Sequence, residues 1–261
     1  MPELFNTTRL QGKTAIITGA SGGIGASTAI LFARAGCNLV LLARRKEALE
    51  EVAAQAKAAA QTMGQNPQIV VRTLDVNDRT AVDALVPALK RPTVSSRLTL
   101  GTERVGDIKM NDVDFMVDTN LVSLIQVTQA FLPEMKRQDS GHILNIGSLA
   151  GREAYVGGAV YCATKHAVKA FTQSLLKELV ATGIRVTEVA PGFVETNFSV
   201  IRFRGNEDAA KAVYKGFDPL VAEDIAEEIV WCAMRPPHVQ IAELFVLPSA
   251  QGSATILHRK E

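Results

Sequence analysis

Tyr161 and Lys165 stand four residues apart in YCATK, and Ser148 precedes the tyrosine by thirteen residues in NIGSLAG. Four residues is one helical turn, so a helix here puts phenol and ammonium on one face. NIGSLAG reads as the end of a strand, which can present the serine hydroxyl opposite that face. A tyrosine phenol ordinarily keeps its proton at neutral pH, and a nearby ammonium favours the phenolate. Such a pair moves protons on and off a carbonyl or a secondary alcohol, while a serine hydroxyl holds the substrate oxygen. Y-x-x-x-K also occurs on ordinary amphipathic helices, so the elements that carry these residues decide the matter.

Those elements alternate. KTAIIT precedes a helix to about Ala35, NLVLLA precedes the Ala/Glu/Lys-rich stretch 46–63, and QIVVRTL precedes 78–90. HILNIG then precedes a helix over 159–181, IRVTEVA a mixed region, and ELFVLP lies near the end. Strand and helix at this spacing predict an α/β fold, a single doubly wound parallel sheet with helices on both faces, formed by one domain over 1–261. With 261 residues, 47% of them hydrophobic, the chain can bury a full core. Its net charge is +1 and its basic residues are scattered apart from Arg44, Arg45 and Lys46, a pattern that points away from nucleic acid and toward a small-molecule partner.

Cys37, Cys162 and Cys232 are widely separated, and the histidines show no ligand pair of metal-site spacing, so no metal is expected. No apolar stretch is read as approaching the roughly 18 residues of a membrane span, and MPELFNTTRL lacks the pattern of a signal peptide. A soluble cytoplasmic protein without a membrane partner is the expectation.

The first strand runs into Thr18-Gly19-Ala20-Ser21-Gly22-Gly23-Ile24-Gly25, where a helix opens. Glycines allow a tight turn and a close approach to pyrophosphate, and the helix start offers free N–H groups and a positive dipole end. After the second strand, where an acid often meets the adenosine ribose, stand Arg44 and Arg45. Guanidinium groups there favour a 2′-phosphate and so NADP; solvated arginines at a helix start are the alternative. Asp75 could accept from the adenine amino group or cap the helix that follows.

Taken together, TGASGGIG, DTN at 118–120, NIGS at 145–148, YCATK at 161–165 and PGFVET at 191–196 resemble the short-chain dehydrogenase/reductase family over nearly the whole chain. The resemblance implies a Rossmann-type domain, a homo-dimer or homo-tetramer, and hydride transfer between nicotinamide and a carbonyl carbon. It makes Tyr161 the acid/base. Lys165 binds the nicotinamide ribose, Ser148 polarises the carbonyl, and Asn120 supports a proton relay. It also places Gly19, Ser21, Gly22, Gly23, Ile24 and Gly25 at the pyrophosphate, Asp75 and Val76 by the adenine, and Pro191, Gly192, Val194 and Thr196 along the nicotinamide. Tyr155 competes with Tyr161 as a candidate, but Ala159 stands where its lysine would be.

The last third, from PGFVETNFSVIRFRGNEDAAKAVYKGF to LFVLPSAQ, is similar to NADP-dependent 3-hydroxy acid dehydrogenases that oxidise L-serine and L-allo-threonine. Their carboxylate substrates make Arg202 and Arg204 candidate partners, with solvated or subunit-bridging arginines as the alternative. The same residues suit a general NADPH carbonyl or polyol reductase.

One segment departs from the family. KRPTVSSR stands where a buried fourth strand and its Asn-Asn-Ala-Gly turn belong, and Arg91, Pro92, Ser95, Ser96 and Arg97 are poor residues for a central strand. Either the strand is missing, as in a mis-spliced chain surviving as an impaired scaffold, or TVSSRLTL pairs as a degenerate strand in a weakened but working enzyme.

Overall fold

A computed structural model describes residues 7–85 and 102–260. The short apolar runs form strands and pair in parallel. β1 (Thr14–Thr18), β2 (Asn38–Ala43) and β3 (Ile69–Thr73) make one three-stranded sheet; β4 (Gly141–Ile146), β5 (Ile184–Pro191) and β6 (Glu243–Val246) make another. The expected single sheet is therefore divided: among the described residues no strand lies between β1 and β4. The candidate strand TVSSRLTL and the residues Arg91 to Arg97 lie outside the described residues.

Alternation within the strands sorts their side chains between two helical layers. Ile17, Leu39 and Leu41 face α1 (Gly23–Arg34), α2 (Lys46–Gln61) and α9 (Ala222–Ala233), burying Phe32, Leu49, Ile225 and Ile229. Leu144, Ile146 and Val189 of the second sheet enter this same cluster, so one core face spans both half-sheets. On the other face Ile16, Val40 and Leu42 meet Val82 of α3 (Arg79–Leu85) and Phe131 of α5 (Ser123–Gln138). Ile143 and Val186 meet Met135 of α5 and Leu175 of α6 (Ala159–Glu178).

α4 (Met110–Val117) joins α5 through a π-helical turn at Asp118–Val122, giving a continuous helix over Met110–Gln138. This run is long and apolar enough to cross a membrane by length and composition, which corrects the expectation that no stretch approaches a span. Merging of two helices through the turn creates the length. Met116, Leu124, Phe131 and Met135 are buried in the core, and Thr119, Asn120, Ser123 and Thr128 are buried polar residues along the same helix. The run is thus a layer of the α/β fold.

His142 is a buried polar residue of β4. Thr187 Oγ1 donates to the Ile241 carbonyl, so the imidazole Nε2–H is assigned as the donor to Thr187 Oγ1 at 2.7 Å. Burial, with Arg185 nearby, holds the ring well below its ordinary range and keeps it neutral. The unfolded chain takes up a proton near about pH 6.5 that the folded chain refuses, so stability is complete above that pH and falls below it by at most about 1.4 kcal/mol per unit. The His142→Gln variant should therefore lose less melting temperature than the wild type on acidification from about pH 7 to 5; parallel losses would contradict this origin.

Candidate active site

The C-terminal ends of the strands converge on a cavity of about 740 Å³. At one end lies the glycine turn, where Gly19, Ser21, Gly22, Gly23, Ile24 and Gly25 all line the wall. A Cβ at Gly25 would sit 2.4 Å from the Gly19 carbonyl oxygen, so only glycine lets α1 start this close to β1. Arg44 and Arg45 also line this end, and Arg45 Nη2 donates to the Ser21 carbonyl at 2.8 Å. The guanidinium thereby lies across the glycine turn.

Asp75 and Val76 line the cavity just past β3. Asp75 Oδ1 accepts from the Asn77 amide at 3.0 Å, whereas Asp78 caps α3 by accepting from the Ala81 amide at 3.0 Å. The capping role considered for Asp75 thus belongs to Asp78, leaving Asp75 to shape a turn beside the cavity. Asn77 Nδ2 donates to Thr119 Oγ1 at 3.0 Å and ties this turn to the π-helical turn.

At the other end stand Ser148 and Tyr161. Ser148 follows β4 and accepts from the Ala150 amide at 3.2 Å, which fixes its hydroxyl at the rim. Tyr161 and Lys165 are one turn apart on α6, with Lys165 Nζ 5.5 Å from the tyrosine ring centroid. Asn120 and Lys165 do not line the cavity; they are buried at 1% and 0% exposure behind it. Asn120 Nδ2 donates to Thr164 Oγ1 at 3.3 Å, and Thr164 donates in turn to the Tyr161 carbonyl at 2.8 Å. A π-turn widens the helix locally, and here it aims Asn120 at α6.

Pro191, at the end of β5, and Gly192, Val194 and Thr196 after it line the same cavity. Thr196 Oγ1 caps α7 (Asn197–Arg202), accepting from the Phe198 amide at 3.3 Å. Phe198 packs on Tyr161 with ring centroids 5.8 Å apart. Arg202 lines the cavity 5.4 Å from the centroid of the Tyr155 ring. Burial pushes the Tyr155 phenol well up, so it keeps its proton and is unsuited to act as the base. Arg204 is the correction: its guanidinium is turned away from the cavity toward Glu103 and Asp112.

Sequence reasoning missed Thr28, Asn77, Phe198, Tyr214 and Gln251, which all line the cavity. Asn77 sits two residues beyond Asp75 in the same turn and could have been found there. Gln251, whose Oε1 accepts from the Phe193 amide at 3.0 Å, lies after the last strand with no local signal.

A strand–glycine turn–helix unit opening onto a Tyr-Lys-Ser cluster defines an α/β oxidoreductase of the dinucleotide-binding class. A family model for short chain dehydrogenase matches residues 13–206. An NADP-dependent 3-hydroxy acid dehydrogenase of Schizosaccharomyces pombe is 42% identical over 261 residues, covering 97% of this chain and 99% of that protein. A sulfoacetaldehyde reductase of Chromohalobacter salexigens is 40% identical over 244 residues, covering 90% and 94% respectively. A serine dehydrogenase solved in its closed form with NADP+ matches with a TM-score of 0.86 at 32% identity, covering 95% of this chain and 100% of that one. The chain belongs to the short-chain dehydrogenase/reductase family.

Gly25→Ala should destabilise the fold by about 1–3 kcal/mol, read as a lower urea midpoint, because backbone rather than a flexible side chain must yield; an unchanged midpoint would contradict the close approach.

Proposed function

We propose that this chain is an NADP-dependent oxidoreductase acting at the hydroxyl-bearing carbon of small 3-hydroxy acids such as L-serine and L-allo-threonine. One observation carries the reading: Arg44, Arg45 and the glycine turn line the same cavity as Ser148, Tyr161 and Arg202. The residues present fit the cofactor. Thr28 Oγ1, buried in the cavity wall, has no hydrogen-bond partner among the described residues, as suits a site built around a polar ligand. Gly19 to Gly25 and the start of α1 would hold the pyrophosphate. Arg44 and Arg45 would hold the 2′-phosphate, Asp75 and Val76 would flank the adenine, and Pro191 to Thr196 would line the nicotinamide. When bound, NADP supplies the hydride chemistry.

Each residue at the reacting end has one task. Tyr161 takes the hydroxyl proton on oxidation and returns it on reduction, with Lys165 Nζ 5.5 Å from its ring centroid. Ser148 donates to the substrate oxygen at the cavity rim. Asn120, through Thr164, holds the first turn of α6 and with it the orientation of Tyr161. Arg202 binds the substrate carboxylate, and Phe198 against Tyr161 limits access of water. The whole chain acts as one domain, and the helices over 110–138 and 159–178 provide the faces for a homo-dimer or homo-tetramer. An impaired scaffold is the second reading, favoured by Arg91, Pro92, Ser95, Ser96 and Arg97 standing where the family carries a buried strand.

A panel of hydroxy acids, sulfoacetaldehyde and neutral carbonyls separates the substrate classes. Tyr161→Phe should lower kcat about 10²–10⁴-fold while NADP binding persists; a kcat within twofold of wild type would remove Tyr161 from the chemistry. Arg202→Ala should raise KM for hydroxy acids at least about tenfold and for neutral carbonyls far less. Equal effects on both would exclude the carboxylate contact, and failure of every panel member to turn over would favour the scaffold.

A further inference from the structure

Arg204 bridges two parts of the chain that are far apart in sequence. Its Nη2 donates to Glu103 Oε1 at 3.0 Å and to Asp112 Oδ2 at 2.7 Å. Asp112 lies in the first turn of α4, and Glu103 in the segment leading to it. Arg204 itself occupies the turn between α7 and α8 (Glu207–Tyr214), the two helices that wall the reacting end of the cavity. The backbone there is unusual: Arg204 has φ 53, a region that disfavours L side chains, and Gly205 follows with φ 89. Glycine would suit position 204 better, so the side chain present must act through its guanidinium.

Other ties hold this wall elsewhere. Its start is fixed by the Thr196 cap, and its end by the Tyr214 hydroxyl donating to the Val194 carbonyl at 2.9 Å and by Arg259 Nη2 donating to the Val213 carbonyl at 3.0 Å. The turn at 203–205 lies between these anchors, and across it Glu103, Tyr155 and Arg202 line one small cavity beside the main one. We propose that Arg204 is a positioning residue: its ion pairs with Glu103 and Asp112 clasp the α7–α8 wall, and with it Arg202, over the reacting end of the site.

The Arg204 side chain is 45% exposed, with Glu103 at 36% and Asp112 at 17%. A half-exposed ion pair is weak and sensitive to salt. Weakness suits the task, because a wall that must open for ligand exchange needs only a small bias to change its closed population several-fold. Glu103 is drawn below the usual carboxylate range by its own backbone amide and by Arg204, and Arg204 is raised by Asp112 and then Glu103, so the Arg204–Glu103 pair stays ionised around neutral pH.

The substrate part of this proposal rests on the hydroxy-acid reading; the clasp itself does not, so two readouts are needed. Arg204→Gly removes the guanidinium while suiting the backbone, and the pair Glu103→Gln with Asp112→Asn breaks the clasp without altering the turn. Hydrogen exchange of the amides in 197–214, measured on the full chain, should quicken about three- to tenfold in both variants, and combining them should add little further. KM for L-serine should rise by a similar factor with kcat held or raised, and Arg204→Lys should recover most of the loss. Faster exchange without any turnover of hydroxy acids would support the clasp and refute the substrate reading. Unchanged exchange, or effects of the two variants that add in full, would overturn the clasp.

Discussion

Lys165 is fully buried directly beneath Tyr161, and the surrounding structure follows from what that burial requires. An amine taken out of water must be enclosed by polar groups at short range, and side chains from several elements have to reach it together. The π-turn brings the buried Asn120 against α6, while the loop after β4 lies directly on the helix at Gly151. A Cβ at Gly151 would stand 2.7 Å from the Lys165 carbonyl oxygen, so this contact admits glycine alone without movement. Ser148, three residues earlier, is thereby set at the cavity rim, and Tyr161 is held one helical turn from the lysine. Tyr161, Ser148 and Asn120 are positioned by one packing arrangement.

The cofactor end depends on a separate constraint. Gly25 against the Gly19 carbonyl sets the distance between β1 and α1, and the Arg45–Ser21 contact extends the turn toward the second strand. The two ends are carried by different three-stranded sheets among the described residues. What joins them is the apolar layer beneath α1 and α9, where Ile17 and Leu41 share a cluster with Leu144, Ile146 and Val189, and the hydrogen bond from Asn77 to Thr119. A cavity built across two half-sheets transmits any loss of that shared core directly to the spacing between the glycine turn and the Ser148–Tyr161 side of the cavity.

Most of this architecture was legible in the sequence because it is periodic or local. β-branched runs marked β1 to β6 to within about a residue or two at each end, and the one-turn spacing of Tyr161 and Lys165 needed only a helix to become a site. The glycine turn was legible for the same reason. Arg204 was misread because nothing local distinguishes an arginine that reaches substrate from one that reaches Glu103 and Asp112 across the fold. Phe198 and Gln251 escaped notice because their partners lie on other elements, and side-chain pairing over such distances leaves no period to read. The π-turn within the helix over 110–138, and so the inward aim of Asn120, has no signature in DTN alone.

Arg44 and Arg45, beside the glycine turn in the cavity wall, suit the 2′-phosphate of NADP. The most direct test is the melting temperature of the purified protein with saturating NADP, with saturating NAD, and with neither, because a ligand that binds only the folded state must raise it. A clear rise with NADP and a much smaller one with NAD are expected, reflecting Arg44 and Arg45 beside the glycine turn. Equal rises would contradict the 2′-phosphate assignment, and a cooperative melt shifted by neither would contradict the site itself.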